Sequence, residues 1–114
     1  MYEYYATVLR IVDGDTVDVD IDLGFDIHVK HRIRLYGIDA PETRTRDLEE
    51  KKRGFAAKDR VVELCPVGTR LKVRTMKDTT GKYGRVLGEL YLDDQPQSLN
   101  KMLVDEGLAE RYYV

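Results

Sequence analysis

Between residues 16 and 36 the chain largely alternates between apolar positions and polar or charged ones. Val17, Val19, Ile21 and Leu23 share one phase while Thr16, Asp18, Asp20 and Asp22 take the other. After a turn signal at Gly24 and Asp26 the pattern resumes, with Ile27, Val29, Ile33 and Leu35 set against His28, Lys30, Arg32 and Arg34. A period of two is that of a strand with one buried face, and it rules out a helix here. Residues 6–12 (ATVLRIV) are rich in β-branched types and run into the turn dipeptide Asp13-Gly14, so they form a strand before this pair. Three strands joined by short turns make an antiparallel meander.

Beyond Tyr36 the periodicity is lost. Residues 37–54 contain Pro41 and a charged stretch, Arg44 to Arg53, and read as a long surface loop. From Gly54 to Cys65 the pattern is helical, with Phe55, Ala56, Val62 and Cys65 on one broad face and Pro66 as a stop. Residues 70–76 (RLKVRTM) and 86–92 (VLGELYL) read as two further strands. Ser98 caps a short helix whose Leu99, Met102 and Leu103 face inward and which ends at Gly107. Five strands, one helix between the third and fourth and another after the fifth, suit a mainly β (α+β) architecture. The expectation is a small five-stranded Greek-key barrel of the OB type with two short helices; the periodicity also permits another α+β sheet.

At 114 residues the chain is long enough for one domain, 1–114, with a core that needs no metal or disulfide staple. Its hydrophobic content of 42% excludes a disordered chain. Apolar runs of only a few residues exclude a transmembrane helix, so no membrane partner is expected. Residues 1–4 do not look like a signal peptide, which places the chain in the cytoplasm or among released proteins unless a leader has been removed. Cys65 is the sole cysteine and forms no intrachain disulfide. The net charge of −2 argues against capture of long nucleic acid by bulk electrostatics. Any work on nucleic acid must rest on a local cluster of charges.

Three segments carry polar residues that a fold alone does not require. In Val12-Asp13-Gly14-Asp15-Thr16-Val17, Asp15 lies in phase with the inward valines, so its carboxylate points to the apolar side near one mouth of the barrel. Such a group is costly unless paired or bound to a metal; plain turn chemistry at a strand start is the alternative. In Arg34-Leu35-Tyr36-Gly37-Ile38-Asp39-Ala40-Pro41-Glu42, a rigid turn between two acids can place both carboxylates at one rim, although a surface salt bridge to Arg34 would explain the same residues. Gly81-Lys82-Tyr83-Gly84-Arg85 is a basic loop whose glycines admit a ligand close to the backbone. Other motifs fail on spacing. Asp18, Asp20 and Asp22 begin like an EF-hand loop, but Leu23 and Val29 stand where Gly and Glu are needed. No zinc-type cysteine pairs and no phosphate-binding Lys-Ser/Thr loop occur. His31 falls in the apolar phase of its strand and is read as a core or bulge residue.

Taken together and in this order, D-G-D-T-V, R-L-x-G-I-D-A-P-E and K-Y-G-R resemble the staphylococcal nuclease (thermonuclease) family over about residues 6–114. The resemblance implies an OB barrel that hydrolyses phosphodiester bonds in DNA and RNA with bound Ca²⁺. It makes Asp15 and Asp39 the carboxylate ligands of the metal and adds the backbone carbonyl of Ala40. Glu42 then corresponds to the general base, Arg34 and Arg85 to phosphate-binding arginines, and Lys82, Tyr83 and Tyr113 to positions near the nucleotide. Paired guanidinium forks suit a planar, charged phosphodiester better than ammonium groups. With so few protein ligands, Ca²⁺ affinity is expected near about 10⁻⁴–10⁻³ M, so another divalent cation can serve in a cytosol. The expected substrate is single-stranded nucleic acid, DNA or RNA, with residues 44–53 tracking phosphates, and the chain is expected to act as a monomer without an obligate protein partner. The competing expectation is a non-catalytic OB-fold module that binds nucleic acid or protein.

Overall fold

A computed structural model describes residues 2–80, 86–93 and 95–112. The strands are β1 (Tyr2–Asp13), β2 (Thr16–Asp22), β3 (His28–Leu35), β4 (Ile38–Asp39), β5 (Arg70–Thr80), β6 (Val86–Tyr91) and β7 (Glu110–Arg111). The helices are α1 (Leu48–Leu64) and α2 (Leu99–Asp105). Five strands close a barrel in the order β1-β2-β3-β6-β5, with β5 returning to β1. All its pairings are antiparallel except β3 with β6. This is the α+β, OB-type barrel that the alternation implied. β4 and β7 form a separate two-stranded ladder in which Ile38 faces Arg111 and Asp39 faces Glu110.

The inward phase of the strands fills the barrel: Val8, Val17, Val19, Ile33, Leu71, Val73 and Leu90 are fully buried. Closure removes the unpaired edges that an open sheet would expose. Among the described residues no helix is long and apolar enough to cross a membrane.

Several boundaries differ from the sequence reading. β1 begins at Tyr2 rather than residue 6, because Tyr2–Thr7 pair with Arg70–Thr75 across the closing seam. β5 likewise runs on to Thr80. The segment 37–54 is not one long loop: α1 starts at Leu48, and Asp47 caps it by accepting hydrogen bonds from the backbone N–H groups of Glu49 and Glu50 at 3.0 and 3.3 Å. Six of the ten residues of the proposed phosphate-tracking stretch 44–53 are therefore helix. The buried face of α1 also differs. Gly54, Ala57 and Val61 face the barrel, with Cys65 following, while Phe55 and Val62 stay 41% and 42% exposed. Small residues let the helix axis lie close to the sheet, and bulky ones at those positions would hold it off. His31, read as a core or bulge residue, is neither: it is half-buried and pairs with Val19 in an unbroken β2–β3 register.

α2 is capped by Ser98, whose side-chain oxygen accepts from Lys101 N–H at 3.1 Å, and it inserts Leu99 and Leu103 fully into the core. Met102 is only half-buried. Asn100, missed in the sequence, is 3% exposed and bridges three elements. Its Oδ1 accepts from Leu90 N–H, and its Nδ2 donates to the carbonyls of Tyr36 and Gly88. These bonds fasten the end of β3 to β6 and α2, and so hold the rim on which the next turn is built.

Candidate active site

The turn between β1 and β2 and the chain after β3 meet at one mouth of the barrel. Thr16 is the register partner of Arg34, and Leu35 N–H donates to the Asp15 carbonyl at 2.8 Å. Gly37 makes the tight turn from β3 to β4 with a φ of 79°, a conformation that favours glycine. Tyr112 N–H bonds the Gly37 carbonyl at 2.8 Å, which ties this turn to the chain after β7.

The cleft so formed, of about 400 Å³, is lined by Asp13, Asp15, Thr16, Arg34 and residues 39–42 together with Arg44. Asp15 is 8% exposed. Its Oδ2 accepts from Ala40 N–H at 2.9 Å and its Oδ1 from the Thr16 hydroxyl at 3.0 Å. Arg34 spans the site. One terminal nitrogen, Nη1, donates to the carbonyls of Leu35 and Ile38 at 3.1 and 2.9 Å. The other, Nη2, lies 3.2 Å from Asp39 Oδ1 and 3.5 Å from Asp15 Oδ2. A single guanidinium thus stands between two carboxylates contributed by separate stretches of chain.

Partial burial in the cleft, and then the charge of Asp15, push the Asp39 carboxyl above its ordinary pKa, with Arg34 pulling the other way. Asp39 therefore sits among neighbouring negative charge, from Asp15 in the cleft and from Glu110 across the β4–β7 ladder. Glu42 is exposed on the rim of the same cleft. The loop that carries it is anchored by Thr43, whose hydroxyl donates to Asp13 Oδ1 at 2.6 Å.

Asp15, Arg34, Asp39, Ala40 and Glu42 are thus gathered into one cleft. Lys82, Tyr83, Arg85 and Tyr113 lie outside the described residues. Asp13 and Thr16 were not singled out from the sequence as members of the site, and Arg44 was read only as the start of the phosphate-tracking stretch 44–53. Asp13 belongs to the same Asp-Gly-Asp-Thr turn as Asp15, and Arg44 follows Glu42 by two residues, so adjacency to the marked acids was the available signal. Among the described residues no three His, Cys, Asp or Glu side chains converge as a ready-made metal cage.

Residues 32–114 match the family described as staphylococcal nuclease homologue. This chain belongs to that family. It is 32% identical to the micrococcal nuclease of Shigella flexneri over 120 residues, covering 97% of this chain and 61% of that protein. It is 34% identical to the thermonuclease of Staphylococcus intermedius over 102 residues, covering 90% and 56%. Protein ParB of Escherichia coli is 32% identical over 117 residues, covering 96% and 58%. The chain therefore spans about three-fifths of the length of these relatives.

Proposed function

We propose that this protein is a metal-dependent nuclease that hydrolyses phosphodiester bonds in DNA and RNA, acting on single-stranded stretches. The observation that carries the reading is the cleft in which Asp15 and Asp39 face the same nitrogen of Arg34 beside Glu42. The nuclease names of the relatives support it.

The donor set fits a hard divalent cation such as Ca²⁺. Asp15 and Asp39 offer carboxylate oxygens, and the backbone carbonyl of Ala40 would add a third oxygen ligand, with water completing the shell. Such a cation, when bound, supplies positive charge beside the phosphate and makes a water more acidic. Asp15 would present its carboxylate to such a cation in a fixed orientation, because its hydrogen bonds to the Thr16 hydroxyl and Ala40 N–H already hold it.

Arg34 has its Nη1 side committed to two backbone carbonyls, which leaves the Nη2 side to face the cleft. A phosphodiester entering there meets a guanidinium already held in place, so little reorganisation is needed as negative charge grows on the phosphoryl oxygens. Arg85 is assigned the second phosphate contact by its match to the family motif. Glu42 takes the proton of the attacking water at a carboxylate oxygen; as the water oxygen bonds to phosphorus one ester P–O bond breaks, and the departing alkoxide takes up a proton from water. Lys82, Tyr83 and Tyr113 flank the nucleotide in this reading.

The test is incubation of the purified chain with denatured DNA and with RNA in the presence of Ca²⁺. Cleavage is expected, lost on adding a chelator and lost in Arg85→Ala. Retention of the nucleic acid without cleavage would favour a binding module instead.

A further inference from the structure

The segment Ala40–Thr43 carries two of the proposed functional groups, yet it belongs to no strand or helix. Besides the hydrogen bonds from Ala40 and Thr43 to the Asp13–Asp15 turn, it rests on the face of α1. We propose that Gly54 is a positioning residue for the site: its missing side chain lets the Pro41–Glu42 backbone seat directly on the helix. That seat sets where the Glu42 carboxylate and the Ala40 backbone fall relative to Asp15. The inference rests on reading the cleft as a catalytic centre.

The contact distances make the case. A Cβ at Gly54 would lie 2.5 Å from the Glu42 carbonyl oxygen, 2.7 Å from the Glu42 carbonyl carbon and 2.8 Å from the Pro41 carbonyl oxygen. All three are backbone atoms, which cannot swing aside as the tip of a long side chain can. A methyl group there must push the loop outward until contacts reach ordinary separations of 3.4 Å or more. A misplacement of about 1 Å in a reacting group can cost about 10²-fold in rate.

The same face of the helix supports the other half of the site. A Cβ on Gly14, next to Asp15, would lie 2.7 Å from the Ala57 methyl and 3.1 Å from the Ala40 methyl. Gly54 and Ala57 are one turn apart, so a single patch of α1 is the common floor beneath the Asp13–Asp15 turn and the Ala40–Glu42 loop. Two hydrogen bonds, Ala40 N–H to Asp15 and the Thr43 hydroxyl to Asp13, stitch these halves together.

Helix propensity argues the same way. Gly54 lies well inside α1, where glycine is the poorest helix former short of proline. A sequence shaped for helix stability alone would put alanine there. The glycine is accounted for by what rests on it.

The experiment compares Gly54→Ala with Val61→Ala, a buried α1 residue that packs into the core away from the loop. On denatured DNA with Ca²⁺, Gly54→Ala is expected to lower kcat at least tenfold with KM changed less than about threefold. Amide exchange at Ala40 should quicken more than in Val61→Ala, even where Val61→Ala is the less stable of the two. Gly14→Ala gives an independent arm: it should also lower kcat, and Ala57→Gly, which deletes the methyl it strikes, should restore part of the loss. The proposal is overturned if Gly54→Ala keeps its kcat and Ala40 exchange, or if Val61→Ala reproduces both changes. If the unaltered chain cleaves nothing, the functional reading fails, and Ala40 exchange still decides whether Gly54 seats the loop. If Gly54→Ala does not fold, it is combined with Pro41→Gly, which frees the loop to move off the helix: the double variant should have a lower kcat and faster Ala40 exchange than Pro41→Gly alone, and equality of the two would overturn the proposal.

Discussion

Replacing Arg34 by alanine should separate catalysis from cation binding. The side chain is largely enclosed and makes two hydrogen bonds to backbone carbonyls and one to Asp39, with Asp15 within 3.5 Å. Two bonds to neutral carbonyls at about 1 kcal/mol each and one to a carboxylate at about 1.5 kcal/mol put the stability loss at about 3.5 kcal/mol. For a domain of this size that lowers Tm by roughly 10–20 °C. Loss of a donor aimed at the growing phosphoryl charge should cost about 10²–10³-fold in kcat/KM. Cation binding should move the other way. Without the guanidinium, Asp15 and Asp39 face each other with no positive charge between them, so Ca²⁺ should bind at least as tightly as before. Ca²⁺ should therefore raise Tm more in Arg34→Ala than in the unaltered chain; a tenfold excess over Kd contributes about 1.4 kcal/mol. Activity is assayed well below Tm on denatured DNA, and binding is followed by thermal melts across a Ca²⁺ series. A kcat/KM within threefold of the original, or a Ca²⁺ response that falls in step with activity, would refute the placement of Arg34 between the two acids and the phosphate.

Three further outcomes follow from the packing. Asn100→Ala strands buried partners on Leu90, Tyr36 and Gly88 and should cost about 2–4 kcal/mol in urea unfolding, one of the largest single-residue effects outside the apolar core. Asp47→Ala removes the acceptor for two N–H groups at the start of α1 and should cost about 1 kcal/mol, read as a drop in Tm of a few degrees. Burial pushes the fully enclosed Cys65 thiol up to about 11, whereas in the unfolded chain it titrates near about 8.5. The native state thus holds its proton where the unfolded state releases it. Stability should be insensitive to this group below about pH 8.5 and fall by about 1.4 kcal/mol per pH unit above it, until the folded thiol itself titrates. Urea midpoints at pH 7, 9 and 10 should show that slope, and Cys65→Ala should abolish it.

The barrel was legible because its strands have one face in the core and one in water, which writes a period of two into residues 16–36. Asp15 is buried, but in the turn ahead of β2 where Thr16 of the other phase is buried too, so its enclosure comes from the cleft and not from the alternation. The onset of α1 was hidden because Glu49 and Lys51–Arg53 are all exposed and leave no apolar rhythm. The spacing Asp47-x-x-Glu50 was the signal that could have revealed it. The buried face of that helix was misread because weight fell on large side chains, while the close approach to the barrel selects Gly54 and Ala57. β4 and β7 are two residues each, too short for any pattern, and Asn100 joins partners that are distant in sequence. That Asp39 lies within reach of Asp15 depends on the Gly37 turn and on the pairing of β4 with β7, neither of which periodicity reports.

The central claim is that two acids from separate segments share one cation next to a phosphate-binding guanidinium. Its most direct measurement is cleavage of denatured DNA across a Ca²⁺ series by the unaltered chain and by Asp15→Asn, a change that keeps the shape of the side chain and removes its charge. The expected result is saturable, chelator-sensitive cleavage by the first, and for the second a rate lower by at least 10²-fold with half-saturation at higher Ca²⁺. Equal rates and equal Ca²⁺ dependence in the two proteins would contradict the account.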